Sequence, residues 1–175
     1  MAKNSGALTG VERTFKDDEI IVSKTDTKGR LIYVNQTFLD VADYTEAECV
    51  GQPHNMIRHP DMPRCVFKLL WDEISQGREI FAYVVNRTKF GDHYWVLAHV
   101  TPTFDEDGKT IKGYHSNRRV PDATALEVIK PLYAELKAEE DRHGNAKDGM
   151  NASLKMLQDK LAKAGMEYDE FIITL

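Results

Sequence analysis

Residues 52–63, QPHNMIRHPDMP, place His54, Arg58, His59 and Asp61 within one short segment. Pro53, Pro60 and Pro63 forbid a regular helix or a central strand there, so these polar groups stand on irregular backbone that cannot satisfy itself by secondary structure. Two imidazoles and a carboxylate are the ligand types of a facial metal triad. An H-x4-H spacing in a proline-containing loop is not a helical ligand pair, however, and His93, His99, His115 and His143 could supply or dilute such a site. A purely structural role is equally open: Arg58 and His59 satisfying loop carbonyls, Asp61 pairing Arg58, and Met56, Ile57 and Met62 anchoring the loop in a core. Cys49 and Cys65 have no nucleophile-elbow or papain-like surroundings and no CxxC spacing, and the glycines form no phosphate-binding fingerprint.

Composition narrows the classes. The chain has 175 residues, 42% hydrophobic and 29% charged, which suits one folded domain with an appendage. Residues 1–121 carry 16 basic and 17 acidic groups, net −1, and residues 122–175 carry 7 and 11, net −4. Neither part has the basic face that nucleic acid requires. No apolar run reaches bilayer length and MAKNSGALTG lacks a signal-peptide core, so the expectation is a cytoplasmic protein with reduced thiols and no membrane segment.

The elements that must position the loop read as follows. Ile20–Thr25 and Leu31–Asn35 alternate as strands around the turn DTKGR. Asn35 can cap a short helix QTFLDVA, and Thr45 with Glu48 opens a second that Gly51 stops. After the loop, Val66, Leu69, Leu70 and Ile74 recur at helical spacing, with Phe67 and Trp71 one turn apart on an adjoining face. Three strands follow, EIFAYVVNRTK, HYWVLAHVTPTFD and TIKGYHSNRRV, with Pro102 predicting an edge or a bulge. Strands at both ends with helices between give an α+β domain: an antiparallel sheet, helices gathered on one face, and a concavity between them. Beyond Pro121 two helical stretches follow, the first containing Pro131, and MEYDEFIITL is left between helix and strand. The predicted organisation is a lead-in over 1–17, a domain over 18–121 and a helical extension over 122–175. On composition alone Trp71 and Trp95 read as core, and Asn86–Arg87 as an exposed strand pair.

The series YVNQTFLDVADYTEAECVGQPHNMIRHPDMPRCVF, continued by FKLLW, VNRTKFGDHYWV, GYHSNRR and IKPLYAELKA, resembles the PAS domain of bacterial aerotaxis receptors over roughly residues 20–138. N-x-x-F and G-D-x-Y-W are generic PAS signals, whereas PHNMIRHPDMP is far narrower. The resemblance implies a PAS fold, a five-stranded antiparallel sheet with helices enclosing a ligand cavity. It implies FAD held non-covalently and used as a redox or oxygen detector with no catalytic turnover. It implies that Trp71 packs the ring and that Asn86 bonds its edge. Arg58, His59 and Asp61 would support the flavin, with His54 and Asn55 as further candidates. A downstream signalling protein or receptor and a homodimer are the implied partners. Two departures stand out: Asp43 replaces the usual glycine before Tyr44, and after KPLYAELK there is neither membrane anchor nor long coiled coil, as in a free-standing sensor or a piece of a longer receptor. Two alternatives remain, a haem-binding PAS gas sensor using His59, His99 or His115, and a cofactor-free PAS interaction module.

Overall fold

The computed structural model describes residues 7–175. Five strands form one antiparallel sheet: β1 Ile21–Thr25, β2 Leu31–Val34, β3 Ile80–Arg87, β4 His93–Phe104 and β5 Ile111–Arg119. Their order is β2-β1-β5-β4-β3, so the first two strands lie beside the last and β2 and β3 are the edges. Side-chain alternation sends Tyr94, Val96, Ala98 and Val100 of β4 to one face, level with Asn86, Val84, Ala82 and Ile80 of β3. Pro102 sits beyond the last β3 pair, Ile80 with Val100, and just before a register shift at Thr103/Phe104. Its missing N–H therefore interrupts no ladder bond to β3, which accounts for both the edge and the bulge expected of it.

The helices α1 Gln36–Ala42, α2 Glu46–Cys49 and α3 Arg64–Ile74 cover that face. Asn35 fixes the first of them. Its Oδ1 accepts from Val22 N at 2.9 Å and from Phe38 N at 3.0 Å, and its Nδ2 donates to Ile20 O at 2.7 Å. One side chain thus caps α1 and holds it to β1. Asp43 closes α1 in the left-handed conformation at φ 60, the geometry for which glycine is the usual residue. Thr45 and Glu48 form the expected capping box.

The C-terminal helices α4 Ala123–Asp141, α5 Ala146–Ala164 and α6 Tyr168–Ile173 belong to the same apolar cluster through Leu126, Ile129, Tyr133, Leu136, Leu157 and Ile172. α4 runs through Pro131 without ending, and the undecided last stretch is helical. Tyr133 donates to Tyr83 O at 2.7 Å and lies 6.0 Å from Trp95, on the sheet face opposite Tyr94. Of the expected lead-in, residues 1–6 lie outside the described residues. The rest is pinned: Arg13 N and Val11 O bond the backbone of His93, and the Arg13 guanidinium bridges Asp43 and Asp92. Among the described residues no helix is long and apolar enough to cross a membrane.

Candidate functional site

The proline-punctuated segment is a strap tied to both edges of the sheet. At the β2 edge Leu31 N donates to Gln52 O at 2.8 Å, Gly51 N to Leu31 O at 2.7 Å and His54 N to Gly29 O at 2.9 Å. A 3-10 turn over His54–Ile57 follows, and Arg58 then forms a backbone bridge with Asn86 on the β3 edge. The segment thus spans the sheet from edge to edge and, with α3, encloses a cavity of about 250 Å³. Backbone groups that local secondary structure could not satisfy are satisfied by the sheet edges.

The helical side of the cavity is apolar, made by Ile57, Phe67, Leu70, Trp71 and Ile74. The sheet side presents Ser23, Val84, Asn86, Ala98, Val100, Tyr114, Ser116 and Arg118. Three atoms there, Asn86 Nδ2, Ser116 Oγ and Arg118 Nη1, are buried with no hydrogen-bond partner among the described residues. Exposed lining residues, Lys28, Asn55 and Trp71, mark the mouth. Trp71 is 41% exposed, stands edge-on to Tyr114 at 5.4 Å and closes over Gly29 of the β1–β2 turn. A Cβ on Gly29 would approach the Trp71 ring to 3.2 Å, and its φ of +74 also favours glycine.

Of the residues singled out in the sequence, His54, Asn55, Arg58, Trp71 and Asn86 line this cavity and His59 and Asp61 do not. The latter two face a separate hollow beside His93, Trp95 and Tyr133. Asp61 does not pair Arg58. Its N–H donates to His59 Nδ1 at 3.2 Å and its carboxylate, 77% exposed, lies 3.7 Å from the same ring. Arg58 instead donates to Met62 O at 3.0 Å and lies 4.6 Å from the Phe67 ring centre, a cation–π contact that also fixes the cavity wall. Asn86 is buried, not an exposed strand residue, and Trp71 is a rim residue, not core. His54, His59 and Asp61 are therefore not brought together as a metal triad, and among the described residues no three His, Cys, Asp or Glu groups are placed to hold a metal ion.

Arg118 is the residue that sequence reasoning missed. It is 3% exposed and donates through Nη2 to Ser23 Oγ at 2.8 Å and to His54 Nε2 at 2.5 Å. His54 Nε2 is therefore an acceptor and the imidazole is neutral. Burial, with Arg118 beside it, pushes the His54 pKa from 6.5 down to about 3. The folded state binds that proton far more weakly than the unfolded chain. Stability conferred by neutral His54 is thus present above pH 6.5 and lost as pH falls below it. Between pH 6.5 and about 3 His54 should contribute a loss of about 1.4 kcal/mol per pH unit in urea unfolding, and His54→Gln should remove that share of the slope.

Of the haem candidates, His115 lines the cavity and its ring bonds Asn117 Oδ1 at 3.0 Å, whereas His99 stacks on Phe81 and bonds Glu79 on the other face, and His59 faces the second hollow. Neither cysteine lines the cavity, and burial pushes both thiols up to about 11.

A five-stranded sheet in this order, with helices and a strap enclosing a cavity on one face, is a PAS sensor fold, and the PAS fold family model matches residues 31–115. The chain belongs to the PAS domains of the aerotaxis-receptor family: it is 43% identical over 122 residues to the aerotaxis receptor of Escherichia coli K12. That match covers 70% of this chain and 24% of the receptor's length. Among solved structures, the dark-state LOV domain of the blue-light photoreceptor Aureochrome1 superposes with a TM-score of 0.56 at 20% identity, covering 66% of this chain and 86% of that one. A light-oxygen-voltage domain studied with a flavin analogue gives 0.55 at 18% identity, covering 66% and 87%.

Proposed function

We propose that this chain is a cytoplasmic redox or oxygen sensor that holds FAD non-covalently and passes the redox state of the flavin to a signalling protein, acting as a homodimer. The observation that carries the reading is the composition of the cavity. One wall is apolar, and the opposite wall offers three buried polar atoms without protein partners, Asn86 Nδ2, Ser116 Oγ and Arg118 Nη1. A flavin ring system has flat apolar faces and one edge of carbonyl and ring-nitrogen acceptors, which matches such a pair of walls. At about 250 Å³ the cavity lies just under the ~300 Å³ lower end of small-ligand pockets. It suits the ring, with the ribityl and phosphate portion leaving past Lys28, Asn55 and Trp71.

When bound, the flavin supplies a reversible change of charge and protonation. Asn86 can answer it by turning its amide, since it offers both a donor and an acceptor. Asn86 is backbone-bridged to Arg58, so a turn there is felt by the strap. Phe67, Leu70 and Trp71 carry any shift of the cavity wall into α3, which touches α4 and α5. His59 and Asp61 would then act at a distance, by holding the strap.

The test is uptake of FAD, FMN and riboflavin by cofactor-stripped protein, followed by flavin fluorescence. FAD should bind best, and Asn86→Leu and Trp71→Ala should each weaken it at least about tenfold, or 1.4 kcal/mol. Wild-type affinity in both variants would contradict the reading.

A further inference from the structure

We propose that Arg118 is a ligand-binding residue that supplies the positive counter-charge for a negatively charged edge of the bound ring, and so sets the preference of the site for the reduced, anionic flavin over the oxidised one. The assignment rests on the flavin reading above.

Arg118 lies on β5 with Tyr114 and Ser116 on the cavity face, and its guanidinium is enclosed. Every partner it has is neutral. Nη2 is spent on the Ser23 hydroxyl and the His54 imidazole, and the Phe38 ring centre lies 5.9 Å from the guanidinium carbon. Tyr94, the other titratable group close to it, is wholly buried and its phenol is pushed upward by burial, so it too is uncharged. Tyr94 is the one ionisable neighbour that acts on the charge of Arg118, no carboxylate among the described residues does so, and Nη1 of this cavity-lining residue is buried without a hydrogen-bond partner.

A buried guanidinium that lacks a counter-ion costs several kcal/mol unless a ligand brings one. Guanidinium cannot shed its proton to escape that cost. His54 removes the other escape: its lone pair on Nε2 holds the cation in place and its neutrality leaves the charge uncompensated. To an oxidised ring Arg118 would donate a hydrogen bond to a neutral acceptor. One electron passed to the ring from an added reductant such as dithionite, with no proton, would make that edge anionic, and the bond from Arg118 would become charge-assisted, roughly twice as strong. The site therefore favours the form that carries charge. Ser116 and Asn86, also unpartnered, add neutral donors that bind either form.

The experiment compares wild-type protein, Arg118→Lys and Arg118→Met, each loaded with FAD, by equilibrium reduction against a reference dye under anaerobic conditions. Arg118→Met should keep oxidised FAD but lose at least about tenfold of the preference for the one-electron-reduced anion, lowering the midpoint by about 59 mV. Arg118→Lys should keep most of it. If Arg118→Met does not fold, wild-type protein loaded with 8-hydroxy-FAD answers the same question, since a cation at the ring edge strengthens ionisation of the 8-hydroxyl. The bound analogue should ionise at least about one pH unit lower than the free one, and an unchanged or higher value would overturn the assignment. An Arg118→Met protein that binds FAD with the wild-type midpoint would likewise overturn it while leaving the flavin reading standing. A wild-type protein that takes up no FAD would overturn both.

Discussion

Ala98→Phe is expected to yield a folded protein that takes up no flavin. Ala98 is on β4, 2% exposed, lines the cavity and is paired along the β3–β4 ladder with another small residue, Ala82. A benzyl group at this position would enter the cavity that Val84, Val100 and Leu70 also line. Overpacking a filled core costs about 1–3 kcal/mol, but here the added side chain enters a void of about 250 Å³, so the fold should tolerate it. Affinity for FAD should fall at least about a hundredfold, or 2.7 kcal/mol, because ring and phenyl group cannot share the slot. Absorbance of bound flavin and the thermal midpoint, read on one sample, separate blockage from misfolding. Undiminished FAD binding by a folded Ala98→Phe protein would place the ligand elsewhere.

Glu140→Ala should be the most damaging single change in the C-terminal helices. The Glu140 side chain is fully buried on α4, and its Oε1 accepts from Cys65 N in the first turn of α3 at 3.0 Å and from Ser153 Oγ on α5 at 3.0 Å. Oε2 lies 3.4 Å from Arg64 Nη1. A carboxylate suits a helix N-terminus, where amide N–H groups and the helix dipole both favour negative charge. The α4–α5 contact is close enough that a Cβ on Gly149 would sit 2.4 Å from Glu140 O. Truncation removes hydrogen bonds to a charged acceptor and strands a buried N–H, a loss on the order of 3 kcal/mol. Glu140→Gln keeps an acceptor and should lose less than half as much. Urea unfolding measures the loss. Hydrogen exchange should show the α3 N-terminus and α5 opening together, because one side chain fastens both, and unchanged protection in α3 would contradict this coupling. The same α3 carries Phe67, Leu70 and Trp71 into the cavity, so Glu140 is where the cavity wall is joined to the C-terminal helices.

The strands, the short capped helices and α3 were legible because alternation, Asn35 and the Thr45–Glu48 pair are local signals. The two ties of the strap were not. Leu31 with Gln52 and Arg58 with Asn86 are pairings between distant segments, and a stretch with three prolines gives no periodicity to announce them. The same geometry explains why His59 and Asp61, beside Arg58 in sequence, turn to the other hollow: once Arg58 has paired with the β3 edge, the chain is already leaving the cavity. Arg118 was hidden for a different reason. SNRRV offers two adjacent arginines, and only the inward phase of Tyr114 and Ser116 shows that Arg118 is enclosed and Arg119 exposed. Asn86 followed the opposite course. Strand composition made it a surface residue, while the family resemblance made it a ligand-facing one; it is buried and lines the cavity.

The most direct measurement is the absorption spectrum of the protein as purified from cells, taken before and after anaerobic dithionite, with the released cofactor identified by chromatography. The account predicts the twin bands of oxidised flavin, their bleaching on reduction, their return in air, and FAD as the released molecule. A sharp Soret band, or a colourless protein that also refuses added FAD, would contradict it.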